Sequence, residues 1–233
     1  MLIAGFQALS LLDYPGVVCS IVFTQGCPLR CIYCHNPELI PLHSSTPECL
    51  LSEQTVLEHL NKRKHIVTGV CITGGEPTIH HDLPAFVRRV KKLGLLVKLD
   101  TNGVHPRMLE KLIKANLLDF IAMDIKHIWA RYPEVIGSVP TSVLDNCQTT
   151  FNLIQASSVS HEFRTTVYSG VHSASDLYDI ALQLKNGEHY ALQEISYEKT
   201  FNPALVKTQK LDLEIIAQHI KAQRPDLEIE VRA

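Results

Sequence analysis

Three cysteines crowd into Cys27-Pro28-Leu29-Arg30-Cys31-Ile32-Tyr33-Cys34, at the spacing C-x3-C-x2-C. Gly26 precedes them, so the backbone there can turn tightly and approach a bulky inorganic group. Thiolates are soft ligands, and three readings compete: a zinc site, an unmetallated redox trio, or an iron–sulfur cluster. Structural zinc normally takes four ligands, and His35, adjacent to Cys34, would have difficulty turning back to the same metal. A [4Fe–4S] cluster on Cys27, Cys31 and Cys34 instead keeps one iron open for an exogenous ligand. With three thiolates its oxidised form carries a net charge of roughly −1, so it can be reduced at low potential where solvent is limited. The spacing favours the cluster.

Other polar groups fit a ligand beside it. Gly74-Gly75-Glu76-Pro77 offers acceptors to an ammonium, because glycines let carbonyls come near. In Asp124-Ile125-Lys126, alternation along a strand puts Asp124 and Lys126 on one face. Lys fits a carboxylate and Asp fits ribose hydroxyls or a cation, so the pair suits a zwitterionic nucleoside; a buried ion pair is the alternative. Arg164 needs an anionic or carbonyl partner, either a bound cofactor, a substrate peptide or a structural carboxylate. Gln193 is a ligand contact or a core-satisfied amide. Cys19, Cys71 and Cys147 sit at apolar-patterned positions as small hydrophobes, and Cys49 is isolated.

Strands and helices must bring these groups together. Short apolar or β-branched runs at Val17–Phe23, Val67–Ile72, Leu95–Leu99, Phe120–Met123, His161–Val167 and Tyr190–Ile195 read as strands, with a last one at Leu227–Val231. Between them lie amphipathic helical patterns: one capped by Ser52, one closed by Gly94, one opened by Pro106, and others around Val143–Ile154, Leu177–Leu184 and Ile215–Ile220. This β–α alternation predicts parallel strands with right-handed crossovers. An incomplete (β/α)6 barrel is the expected α/β fold, with an open doubly wound sheet as the alternative. A single domain is expected over 1–233, with a lead-in at 1–15 and a closing helix and strand at 210–233. In either architecture the motifs fall at the carboxyl ends of strands, where ligands bind.

The composition excludes other classes. With 233 residues, 45% hydrophobic and 20% charged, the chain can bury a full core and is no disordered tail. Its net charge of −2 gives no attraction to nucleic acid or anionic lipid. No basic residue precedes Arg30, and no window approaches a membrane span, so a cytoplasmic address with no membrane partner is expected.

The cysteine spacing, with an aromatic residue before the last cysteine, resembles the radical S-adenosylmethionine superfamily. The resemblance implies that S-adenosylmethionine chelates the open iron and is cleaved to a 5′-deoxyadenosyl radical. It places Tyr33 and His35 beside the ligand, and brings Gly74, Gly75 and Glu76 to its amino group through backbone carbonyls and the Glu side chain. Cys34-His35-Asn36-Pro37, Asp100-Thr101-Asn102-Gly103 and Asp124-Ile125-Lys126 resemble motifs of glycyl-radical-enzyme activases. There Asp100, Asn102, Asp124 and Lys126 would contact the ligand, and Asp100, Thr101 and Asp124 are candidates for a monovalent cation. Leu12-Asp13-Tyr14-Pro15-Gly16, Tyr132–Gly137 and Phe163–Val167 are similar to the activating proteins of anaerobic ribonucleoside-triphosphate reductase, with pyruvate formate-lyase activases as close relatives. The implied substrate is a glycine of a partner enzyme. The basic groups Lys62-Arg63-Lys64 and Arg88-Arg89 with Lys91-Lys92 read first as a solvated helical face, where an acidic electron donor such as flavodoxin could dock. Alternatives are a small-molecule enzyme of the deazaguanine type and a non-catalytic metal module.

Overall fold

The computed structural model describes residues 1–43 and 46–232. Ser44, Ser45 and Ala233, inside the expected span, lie outside the described residues. Eight strands form one sheet: β1 (Ile3–Ser10), β2 (Cys19–Thr24), β3 (Gly69–Gly74), β4 (Leu96–Thr101), β5 (Phe120–Asp124), β6 (Ser160–Val167), β7 (His189–Glu194) and β8 (Glu228–Arg232). The helices are α1 (Glu53–Arg63), α2 (Leu83–Lys92), α3 (Pro106–Lys114), α4 (Tyr132–Ile136), α5 (Thr141–Ala156), α6 (Ala174–Ala181) and α7 (Leu213–Gln223).

Strand order runs β1 to β8 without reversal, and β2 through β8 are parallel. A doubly wound sheet would reverse at a switch point. Right-handed crossovers running in one direction keep every helix on the same face, as in a barrel. The ladder ends at β1 and β8, which are not neighbours. From β2 to α7 the chain makes the six expected β–α units.

The expected lead-in contains a strand. β1 pairs antiparallel with β2, from Ile3 opposite Thr24 to Ser10 opposite Cys19. Ala4 and Gly5 dilute its strand signal, and as an edge strand it has fewer neighbours to demand β-branched side chains. The local signals elsewhere act as their chemistry requires. Ser52 accepts from Thr55 N–H to cap α1, and Gly94, at φ +83°, ends α2 in the left-handed region.

The two faces of the sheet differ. Val22, Val70, Ile72, Val97, Leu99, Ile121, Met123, Phe163, Tyr190 and Leu192 pack against the helices in the main core. On the concave face, Cys19, Ile21 and Cys71 form a small separate cluster with Tyr14, and the adjoining strands β4, β5, β6 and β8 present charged side chains. The structure therefore lacks the stacked apolar layers that fill a closed eight-stranded barrel.

Candidate functional site

The cysteine loop leaves β2 and is held on three sides. Gly26 and Cys27 N–H donate to Leu39 O (2.7 Å) and Ile40 O (3.0 Å). Arg30 and Ile32 N–H donate to Ile136 O (3.2 Å) and Val135 O (2.9 Å) on α4, while Phe201 and Asn202 N–H reach Cys34 O (3.0 Å) and Ile32 O (3.1 Å). Four of these six contacts come from α4 or from Phe201 and Asn202, distant in sequence, so the loop is set by the assembled fold. Burial pushes the Cys27 thiol up to about 12 and the Cys31 thiol up to about 11, and raises Cys34 as well. Thiols in such a place ionise when a metal displaces their protons.

The second motif locks onto this loop. Gly75 N–H donates to Thr24 O (2.9 Å) and Glu76 N–H to Gly26 O (2.8 Å). A Cβ on Gly75 would lie 2.2 Å from Gly26 O, and one on Gly74, at φ +113°, 2.4 Å from Thr24 N. The glycines are thus required by close backbone packing against Thr24 and Gly26. Glu76 is drawn into the same junction. It is 1% exposed, and its carboxylate accepts from Thr78 N–H (3.1 Å), Thr78 Oγ1, Thr101 Oγ1 (2.8 Å) and Asn102 N–H (2.7 Å). Burial raises its pKa against these four donors. The side chain assigned to a ligand ammonium is committed to joining two loops.

A charged row crosses the concave face. Lys126 Nζ meets Asp124 (2.9 Å), Arg164 bridges Asp124 (3.0 Å) and Asp100 (3.2 Å), Lys98 pairs with Asp100 (2.7 Å), and Arg232 pairs with Glu162 (2.7 Å). In register, Asp100, Ala122 and Glu162 lie side by side on β4, β5 and β6. The small Ala122 leaves space for Arg164 and Lys98 to reach across. Burial works against ionisation of both aspartates, yet Arg164 with Lys98 holds Asp100, and Arg164 with Lys126 holds Asp124, below the usual carboxylate range. Asp124 and Lys126 share a face as expected. Arg164 finds structural carboxylates, one of the partners expected for it, and these cations occupy the carboxylates assigned to a monovalent cation. Thr101 Oγ1, the third candidate, is bonded to Glu76 and Gly103 N–H. Gln193 is on the same face, level with Thr166 and Arg232, and half-buried.

Sequence patterns did not reveal the pair His127 and His172, stacked at 4.7 Å behind Lys126. His172 Nδ1 accepts from Tyr168 N–H (3.1 Å), so its Nε2–H donates to Lys126 O (2.8 Å). His127 Nδ1 accepts from Ile128 N–H (2.8 Å) and its Nε2 meets Val171 O (3.2 Å). The pair fixes the turn carrying Lys126 against the loop after β6. Lys98 and Glu162 also went unsingled, although alternation from Asp100 and Arg164 would have placed them on the charged face.

Two polar atoms on the cysteine loop, Tyr33 Oη and His35 Nε2, are buried without a hydrogen-bond partner among the described residues. A ligand there would supply one. No three His, Cys, Asp or Glu side chains among the described residues gather around a single ion. A [4Fe–4S] cluster makes no such demand, since its thiolates bind different irons.

The Radical SAM superfamily matches residues 21–159. The chain belongs to it. Within the superfamily it groups with the glycyl-radical enzyme activating enzymes: a relative so named from Methanocaldococcus jannaschii is 31% identical over 210 residues, covering 88% of this chain and 85% of the relative. A pyruvate formate-lyase-activating enzyme from Staphylococcus aureus is 35% identical over 133 residues, 52% of this chain and 51% of that one. The fold is shared with SuiB from Streptococcus suis (TM-score 0.71, 16% identity, 91% of this chain and 48% of that one) and QueE from Escherichia coli (0.60, 17%, 100% and 93%). The cofactors of this family member are a [4Fe–4S] cluster and S-adenosylmethionine. No helix among the described residues is long and apolar enough to cross a membrane.

Removing Arg164 leaves two partly buried aspartates short of a partner. Arg164→Met is expected to cost about 3–5 kcal/mol in urea unfolding; a near-neutral result would mean that the row is hydrated. Burial lowers His172 from the model-peptide value of 6.5 to about 4. Between those values the unfolded chain binds a proton that the folded chain refuses, so this stability is present above pH 6.5 and lost as pH falls to 4, about 3 kcal/mol in all. In unfolding titrations at pH 7 and 4.5, His172→Gln should show a smaller acid loss than the unsubstituted protein.

Proposed function

We propose that Cys27, Cys31 and Cys34 hold the cluster, that S-adenosylmethionine lies across the carboxyl ends of β3 to β6, and that the substrate is a glycine of a partner protein. The single observation carrying this reading is the similarity to a named glycyl-radical enzyme activating enzyme across nearly the whole chain. When bound, and given one electron from a donor such as flavodoxin, these cofactors supply reductive cleavage to methionine and a 5′-deoxyadenosyl radical, which takes a Cα hydrogen from glycine and leaves the radical on the partner.

The chain's own residues bind and orient. Lys126 Nζ has Asp124 as its side-chain acceptor, so further N–H groups remain for a ligand carboxylate. Burial opposes its charge, while Asp124 holds it on. Tyr33 Oη and His35 Nε2 would meet polar atoms of the nucleoside, and burial beside Lys126 keeps His35 neutral. The remaining acceptors for the ammonium are backbone carbonyls around Gly74 and Gly75. An open ladder between β1 and β8 suits entry of a polypeptide loop that seals the site against water.

The partner we favour is anaerobic ribonucleoside-triphosphate reductase, on the motifs Leu12–Gly16, Tyr132–Gly137 and Phe163–Val167. The partial match to a pyruvate formate-lyase-activating enzyme supports that lyase as the second reading.

Anaerobic reconstitution should give about four irons per chain, with Cys27→Ala, Cys31→Ala and Cys34→Ala each losing the cluster and Cys71→Ala retaining it. Mixed with the reductase, the holoenzyme should produce a paramagnetic doublet that collapses when glycine Cα carries deuterium, with the label recovered in 5′-deoxyadenosine. Label entering from a small heterocycle, with no radical on either partner, would support the small-molecule alternative.

A further inference from the structure

Asn102 lies just beyond β4, 7% exposed, and every polar group it carries has a partner. Its N–H donates to Glu76 Oε2 (2.7 Å), and its carbonyl accepts from Cys147 Sγ (3.4 Å). Its side-chain Oδ1 accepts from Val104 N–H (3.2 Å). That last contact decides the orientation of the amide. A backbone N–H can only donate, so the oxygen must face Val104 and the NH2 must face the other way. On that side Nδ2 stands 3.5 Å from Cys27 Sγ.

We infer that Asn102 is a positioning residue that sets the reduction potential of the cluster through an N–H···S hydrogen bond to Cys27. This rests on the reading of Cys27 as a cluster ligand. Reduction adds one electron, and so one negative charge, to a group whose charge is shared with its thiolate sulfurs. A donor aimed at one of those sulfurs stabilises the reduced form more than the oxidised form, and the potential rises. Few mobile parts are involved: Glu76 holds the Asn102 backbone N–H, Val104 N–H holds the side-chain amide, and Thr150 Oγ1 donates to Gly103 O (2.6 Å) to fix the following turn. The donor is therefore oriented before any electron arrives.

Two variants of the reconstituted holoenzyme test this, read by a potentiometric titration followed by electron paramagnetic resonance and by iron content. Asn102→Leu removes the donor. Asn102→Asp keeps an acceptor for Val104 N–H and turns a carboxylate oxygen toward the sulfur. Both should keep about four irons. The leucine variant should lose about tenfold in the equilibrium constant for one-electron reduction, a downward shift of ~59 mV, and the aspartate variant should lose more. A full complement of iron with an unchanged potential in Asn102→Asp overturns the inference, as does loss of the cluster from both variants, which would make Asn102 only a loop pin. If Cys27→Ala retains all its iron, the ligand assignment fails instead; if it loses iron while the Asn102 variants keep the normal potential, only the present inference fails.

Discussion

Glu76 places a buried carboxylate where the loops after β3 and β4 meet, and the donors of both turn onto it. Thr78 closes the short turn after Pro77, while Thr101 and the Asn102 N–H draw in the end of β4. One residue earlier, Gly75 touches Gly26 backbone to backbone, so the same junction extends into the cysteine loop. Three segments, around Gly26, Glu76 and Thr101, thereby share one joint. A buried carboxylate is costly unless its hydrogen-bonding capacity is filled, and here the filling groups are the motif residues themselves. Much of this motif chemistry is consequently architecture that aims the cysteines and Asn102, and only part of it is left to face a ligand.

The concave face has a related logic. Asp100, Asp124 and Glu162 are set against Lys98, Lys126, Arg164 and Arg232, in a space that a closed barrel fills with aliphatic side chains. Such a row is no gain in stability over packed hydrophobes. Its consequence is positional: Arg164 holds Asp124 by one oxygen, the other oxygen holds Lys126, and Lys126 is left at the rim with donors to offer. The stacked histidines brace the same turn from behind.

Much of this was legible from local pattern. The cysteine spacing, the six β–α units and the placement of motifs at strand ends all follow from periods of two and 3.6 and from cap residues such as Ser52 and Gly94. β1 escaped because an edge strand with Ala4 and Gly5 carries little propensity. The partners of Glu76 and Arg164 escaped for another reason. That Asp100 and Glu162 flank the small Ala122 depends on register across three strands, and the meeting of His127 with His172 depends on the single crossover from β5 to β6. No local signal encodes either. Arg164 and Glu76 were singled out correctly as residues needing partners, but the fold supplies those partners from within the chain.

The joint at Glu76 is tested most directly by hydrogen exchange of amides in Glu76→Gln against the unsubstituted protein. The glutamine is close in size but presents a donor where one acceptor stood, so it cannot accept from both backbone N–H groups, of Thr78 on one oxygen and of Asn102 on the other. Exchange should quicken together in the segment 101–104 and in the cysteine loop 26–36, while β6 to β8 keep their protection. Protection unchanged in both loops, or lost from one alone, would contradict the account of a single buried carboxylate holding the site together.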